Sequence, residues 1–138
     1  MSKQIIAIKL DVPSQAVSAL SGNRRGSTRS YRQTAAVSRL REQAYYLARS
    51  LKNSGATIGY PTHCVAWLRF PTSRRRDSAN FQGAIKPVID GIVSAGLLPD
   101  DDIFHLVGPD VRIDPAARTS PGVVHIELKF TPLAPATR

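Results

Sequence analysis

Two apolar periods alternate along this chain, and together they leave little room for anything but a sheet with helices packed on it. From Arg32 to Lys52 the residues Val37, Leu40, Ala44, Leu47 and Leu51 recur at steps of three and four, one face of an amphipathic helix. Asn53 and Gly55 stop it. The period then changes to two. His63 to Phe70 places Cys64, Ala66, Leu68 and Phe70 on one side and Val65, Trp67 and Arg69 on the other, as in a strand with one buried face. Val123 to Phe130 does the same, with Val124, Ile126, Leu128 and Phe130 against His125, Glu127 and Lys129. Ile5 to Leu10 and Ile103 to Val107 are shorter apolar, β-branched stretches and read as strands.

Ile85, Val88, Ile89, Ile92 and Val93 again have helical spacing. Pro87 removes a donor and collides with the preceding turn, so the regular helix is expected to begin near Lys86, with Pro87 in its first turn. Gly96 closes it. Residues 11–31 are rich in Ser, Gly and Arg without a period and are expected to form a basic loop. Gly108-Pro109-Asp110 reads as a turn, and the tail from 131 to 138 as frayed. The expected order is β-α-β-α-β-β. It forms one compact α/β (α+β) domain over residues 1–138, a mixed sheet with two helices packed on it, which suits the length.

Composition removes several classes of function. No apolar run approaches the roughly 18–20 residues of a membrane span, and no basic-then-apolar leader opens the chain. Cys64 is the only cysteine, which excludes an intrachain disulfide and a zinc site built on several thiolates. Cytoplasmic residence is the expectation. The formal charge is +9 and is unevenly spread. Residues 22–76 hold twelve Lys or Arg, eleven of them Arg, against Glu42 alone. Arg pairs two phosphate oxygens at once, so a polyanion partner is expected, nucleic acid above all; the plainer reading is a solubilising surface. Arg24, Arg25, Arg74, Arg75 and Arg76 are the candidate phosphate contacts.

Five of the ten acids, Asp77, Asp90, Asp100, Asp101 and Asp102, fall between residues 77 and 102, against the arginine run. Metal-dependent phosphodiester hydrolysis accounts for both halves of that pattern. If the strand ending at Phe70 lies beside the one starting at Ile103, Asp77 and Asp101 are expected at neighbouring strand ends. Two carboxylates about 4 Å apart repel by about 4 kcal/mol at an effective dielectric of 20. Mg²⁺ or Mn²⁺ would relieve that repulsion, polarise a phosphodiester and activate water. Lys86 is the candidate to neutralise developing phosphate charge or to protonate the leaving oxygen.

Each member of the set also has a plainer reading. Asp100 to Asp102 could be a solvated turn, Arg74 to Arg76 with Asp77 a surface ion cluster, and Lys86 with Asp90 an i,i+4 helix pair. His63, His105 and His125 show no metal-ligand spacing, and Trp67, Phe70, Tyr45 and Tyr46 are expected to pack.

The ordered set resembles the RusA family of Holliday-junction resolvases, whose pattern is an arginine-rich stretch, Asp-x-Asp-Asn, a helical Lys, an Asp four residues later and a closing Gly-x-x-x-Asp-Asp. Here Arg74-Arg75-Arg76 lead into Asp77-Ser78-Ala79-Asn80, Lys86 and Asp90 keep their spacing, and Gly96-Leu97-Leu98-Pro99-Asp100-Asp101 closes the match. The likeness covers roughly residues 70–105. It implies a homodimeric, Mg²⁺-dependent endonuclease that nicks paired strands of a four-way DNA junction. Asp77 and Asp101 would be its metal ligands and Lys86 its catalytic lysine. Two departures stand out: Ala79 replaces the second aspartate, and the stretch from Asn80 to Lys86 is longer than in the shortest members. Asn80, Asp102 or Asp90 could supply the missing oxygen. The competing expectations are a non-catalytic DNA- or RNA-binding module and an assembly protein.

Overall fold

The computed structural model describes residues 4–22 and 30–134. They form one compact α+β domain in the order β1 (Ile6–Pro13), α1 (Ser14–Ala19), α2 (Tyr31–Asn53), β2 (Thr62–Phe70), a 3-10 turn (Ser78–Phe81), α3 (Gln82–Ser94), β3 (Leu106–Arg118) and β4 (Val123–Pro132). The sheet runs β1-β4-β2-β3. Only the β2–β3 pair is parallel, and α3 makes the crossover between them. Among the described residues no helix is long and apolar enough to cross a membrane.

The two-residue period of β2 survives intact. Thr62, Cys64, Ala66, Leu68 and Phe70 are buried beneath the helices, and the alternate residues are half-buried on the other face. Central β4 contributes Val124, Ile126, Leu128 and Phe130 to the same core. In α2 the Ser30 hydroxyl accepts from Gln33 N while Gln33 Oε1 accepts from Ser30 N, a reciprocal cap on two otherwise orphaned donors. Its buried stripe is Ala36, Leu40, Ala44 and Ala48; Val37, Leu47 and Leu51 sit half-buried on the flank. The stripe is rotated because α3 crosses close by. A Cβ on Gly91 would collide with the Arg41 carbonyl oxygen, so small residues face the crossing.

Several sequence expectations are corrected. Helix α1 lies inside the stretch read as loop; at six residues, with Val17 alone buried, it is too short to show a period. Helix α3 starts at Gln82 and carries Pro87 inside it. Phe81 packs on Phe70 with ring centroids 5.1 Å apart, which anchors the helix start upstream. The Pro87 ring is buried, and this offsets part of its lost hydrogen bond. Ile103 and Phe104 are 83% and 66% exposed in a turn, and the third strand begins only at Leu106. It continues through Gly108-Pro109-Asp110, where its register against β2 shifts rather than turning back. Thr131 and Pro132 belong to β4, and Leu133 N donates to Pro61 O at 2.8 Å. Residues 135–138 of the expected frayed tail, like Arg24 and Arg25, lie outside the described residues.

Candidate nucleic-acid and cation site

The arginine run leaves the end of β2 and is held there by its own third member. The Arg76 guanidinium carbon lies 4.0 Å from the Phe70 ring centroid. Its Nη1 donates to Thr72 O at 2.9 Å and Arg74 O at 3.1 Å, and its Nη2 to Thr72 Oγ1 at 2.8 Å. Burial first, then the neighbouring Arg74 and Arg118 guanidiniums, lower its pKa, although arginine stays charged throughout the physiological range. Arg74 and Arg75 are exposed. Asp77 caps the 3-10 turn, its Oδ1 accepting from Ala79 N at 3.1 Å. Arg74, Arg75, Arg76, Asp77 and Asn80 line one cleft, closed on its far side by α1.

Lys86 stands in the second turn of α3, and its ammonium bridges two carboxylates. Nζ donates to Asp101 Oδ2 at 2.6 Å and to Asp90 Oδ1 at 2.9 Å. The bonds to Asp101 and then Asp90 raise the Lys86 pKa, and the same bond holds the Asp101 carboxyl below its ordinary value. Gly96 (φ +83°) lets the chain reverse after α3, which carries Asp101 back along the helix to Lys86. Lys86 and Asp101 line a second, smaller cleft with Gln82, whose Nε2 donates to Pro109 O at 3.2 Å. Asp102 turns elsewhere. Its Oδ1 lies 2.6 Å from His105 Nδ1 and accepts from Phe104 N at 2.9 Å, and the His105 contact is the main cause of its lowered pKa.

The expected crossover between neighbouring parallel strands is present, but its consequence for the aspartates differs. Thr62 of β2 pairs with Leu106 of β3. Asp101 therefore precedes the start of that parallel pair, whereas Asp77 follows its far end at Phe70. The fold brings Lys86, Asp90 and Asp101 together and seats Asp77 and Asn80 in the other cleft; Asn80 and Gln82 mark where the two clefts approach each other. Among the described residues no group of three or more His, Cys, Asp or Glu side chains is placed to hold a metal ion. Two carboxylates converging on one cation nevertheless suit Mg²⁺, which is commonly bound by one or two carboxylates, with water and substrate phosphate oxygens completing its shell. Asp90 and Asp101 would be that pair.

The sequence offered Asp90 as an alternative oxygen donor and Arg76 as a phosphate contact. The i,i+4 spacing of Lys86 and Asp90 was the available signal for the first. Nothing in the sequence signalled the packing of Arg76 on Phe70. All three histidines also pair with aspartates: besides His105 with Asp102, His63 Nε2 lies 2.6 Å from Asp110 Oδ2 and His125 Nδ1 lies 2.7 Å from Asp11 Oδ1. Comparison with protein-family models and with curated proteins finds no match.

Proposed function

We propose that this protein is a divalent-cation-dependent endonuclease acting on branched DNA, with four-way junctions as its substrate class. The observation that carries the reading is the convergence of Asp90 and Asp101 on one cationic point, the Lys86 ammonium, in a cleft next to the arginine-lined one. The motif order over residues 70–105 and its likeness to the RusA resolvases support it. Arg74 and Arg75 supply exposed guanidiniums for backbone phosphates. Asp90 and Asp101 would hold a hard cation, which would supply polarisation of the phosphodiester and activation of water.

The Lys86 side chain is 61% exposed, so its head can leave the carboxylates and meet a phosphate oxygen. A lysine ammonium is protonated at neutral pH without any shift, so Lys86 takes an electrostatic role at the phosphate. Asp77 acts by capping the turn that joins the arginine loop to α3. The reading includes a homodimer, in which two such clusters would serve the two strands nicked in a junction.

Incubation of the purified chain with a labelled four-way junction and Mg²⁺ tests this. Wild type should nick the junction, and Asp101→Asn should lower the rate by about 100-fold or more, as loss of a principal electrostatic group does. Asp77→Asn should retain most activity, because Asn caps as well as Asp. Equal loss in both variants would return Asp77 to the ligand set, and no cleavage by wild type would remove the enzyme reading.

A second reading is favoured by one specific residue. Ala79 offers no oxygen where a second aspartate would stand, and a Lys86 that permanently neutralises Asp90 and Asp101 would leave a junction-binding protein without turnover. That protein binds without added metal, with affinity falling at a log-log salt slope of about −0.9 per neutralised phosphate.

A further inference from the structure

The cleft between α1 and the arginine loop encloses about 610 Å³ and contains none of Lys86, Asp90 or Asp101. Its size lies within the roughly 300–1,000 Å³ of pockets that take small ligands. Its walls differ in chemistry. The floor is apolar, formed by Val17, Phe70, Phe81 and Val124. Among the described residues the lining carries three arginines against Asp77, an excess of positive charge that suits an anion. The α1 side presents hydroxyls, and among the described residues the buried Ser14 Oγ has no hydrogen-bond partner.

Arg76 determines what kind of ligand. One face of its guanidinium covers Phe70, and both terminal nitrogens are engaged by Thr72 and by the Arg74 carbonyl. A guanidinium so engaged is badly placed to fork a phosphate. It is instead a planar cation held in a fixed attitude on Phe70, within the lining of the cleft. Unstacked bases settle on such planes. Arg74 and Arg75 flank the shelf as free phosphate ligands, and the Asn80 amide at the rim can donate to and accept from a base edge.

We propose that this cleft is a nucleotide subsite. It takes one unstacked nucleotide from a single-stranded or branch-point segment, the base lying on Arg76 and the phosphate on Arg74 and Arg75. The proposal rests on the preceding reading only for the class of ligand, nucleic acid, and makes Arg76 a base-stacking group rather than a phosphate contact. A branched substrate would thereby be recognised by a base that is free to leave its stack, which an intact duplex does not offer.

The test is calorimetric titration of the full chain with two probes: a single-stranded trinucleotide with a central adenine, and the same trinucleotide abasic at its centre. Wild type should bind the adenine probe more tightly by a factor of about 5 to 150, taking the range for one base stacked on an aromatic side chain as the scale. Arg76→Lys keeps the charge and removes the plane, so it should bring that ratio close to one. Arg74→Ala should weaken both probes alike and lower the salt slope by about 0.7, the value for one phosphate of a single strand. Should Arg76→Lys fail to fold, Asn80→Ala leaves the Arg76 hydrogen bonds in place and should lower the ratio several-fold. Equal affinity of wild type for both probes would reduce the cleft to a phosphate site, and no affinity for either would overturn the proposal. Junction cleavage measured in parallel separates the two readings. A base preference without cleavage leaves the subsite standing alone, and cleavage without a base preference removes the subsite alone.

Discussion

Single side chains here are tuned by what surrounds them rather than by their type. Burial pushes the Cys64 thiol up to about 12, with a smaller push from Asp110. The native protein should therefore resist thiol-directed alkylation at pH 8 and react only on unfolding. Rapid modification of folded protein would show that β2 opens locally. Asp114 is tuned the other way. The backbone N–H groups of Ala116 and Ala117 donate to its carboxylate and hold its pKa below the ordinary value. A depressed folded pKa means stability that is present above the unfolded value of about 3.9 and lost as pH falls through the folded one. The melting temperature of Asp114→Ala should thus lie below wild type by a constant interval above about pH 5, and the interval should shrink under more acidic conditions. An interval independent of pH would mean that the charge contributes nothing.

At the scale of elements, the contact that most restricts substitution is the crossing of α2 over α3. Ala44 meets Gly91 there with no space for a methyl group. Gly91→Ala should destabilise the domain by about 1–3 kcal/mol, the usual penalty for over-packing a filled interior, measured by urea unfolding. A neutral result would show that the helices can separate. The same crossing fixes α3 against the sheet and so fixes where Lys86 stands. Its helix start is determined by Phe81 on Phe70 and by the Asp77 cap, although Pro87 taken alone argues for a later start. Burial of two aromatic rings outweighs one missing hydrogen bond.

For the whole molecule, the helices cover one face of the sheet, and the other mixes half-buried apolar residues such as Val65 and Trp67 with paired polar groups. Glu127 is nearly buried there between Lys9 at 3.7 Å and Arg69 at 3.5 Å. The proposed junction chemistry calls for two copies of the chain, so sedimentation at micromolar concentration should give twice the 15.0 kDa of one chain. A single-chain mass in the presence of junction DNA would count against paired nicking.

Helix α2 and strands β2 and β4 were legible from residue order alone, because Leu40, Ala66 and Leu128 repeat at the period of their element and burial follows that period. The excess of arginine and the clustering of acids were legible too, since charge needs no fold to be counted. Helix α1 was not legible, being shorter than two turns, and neither was the late start of β3, because Ile103 and Phe104 carry the composition of a strand into an exposed turn. Which acids meet which cation was decided only in three dimensions. With β2 and β3 parallel, Asp77 follows the end of β2 and Asp101 precedes the start of β3, and the reversal at Gly96 returns Asp101 to Lys86 and Asp90. Local periodicity reports which face of an element is buried, whereas the meeting of distant side chains depends on strand order, crossover direction and the turn that follows a helix.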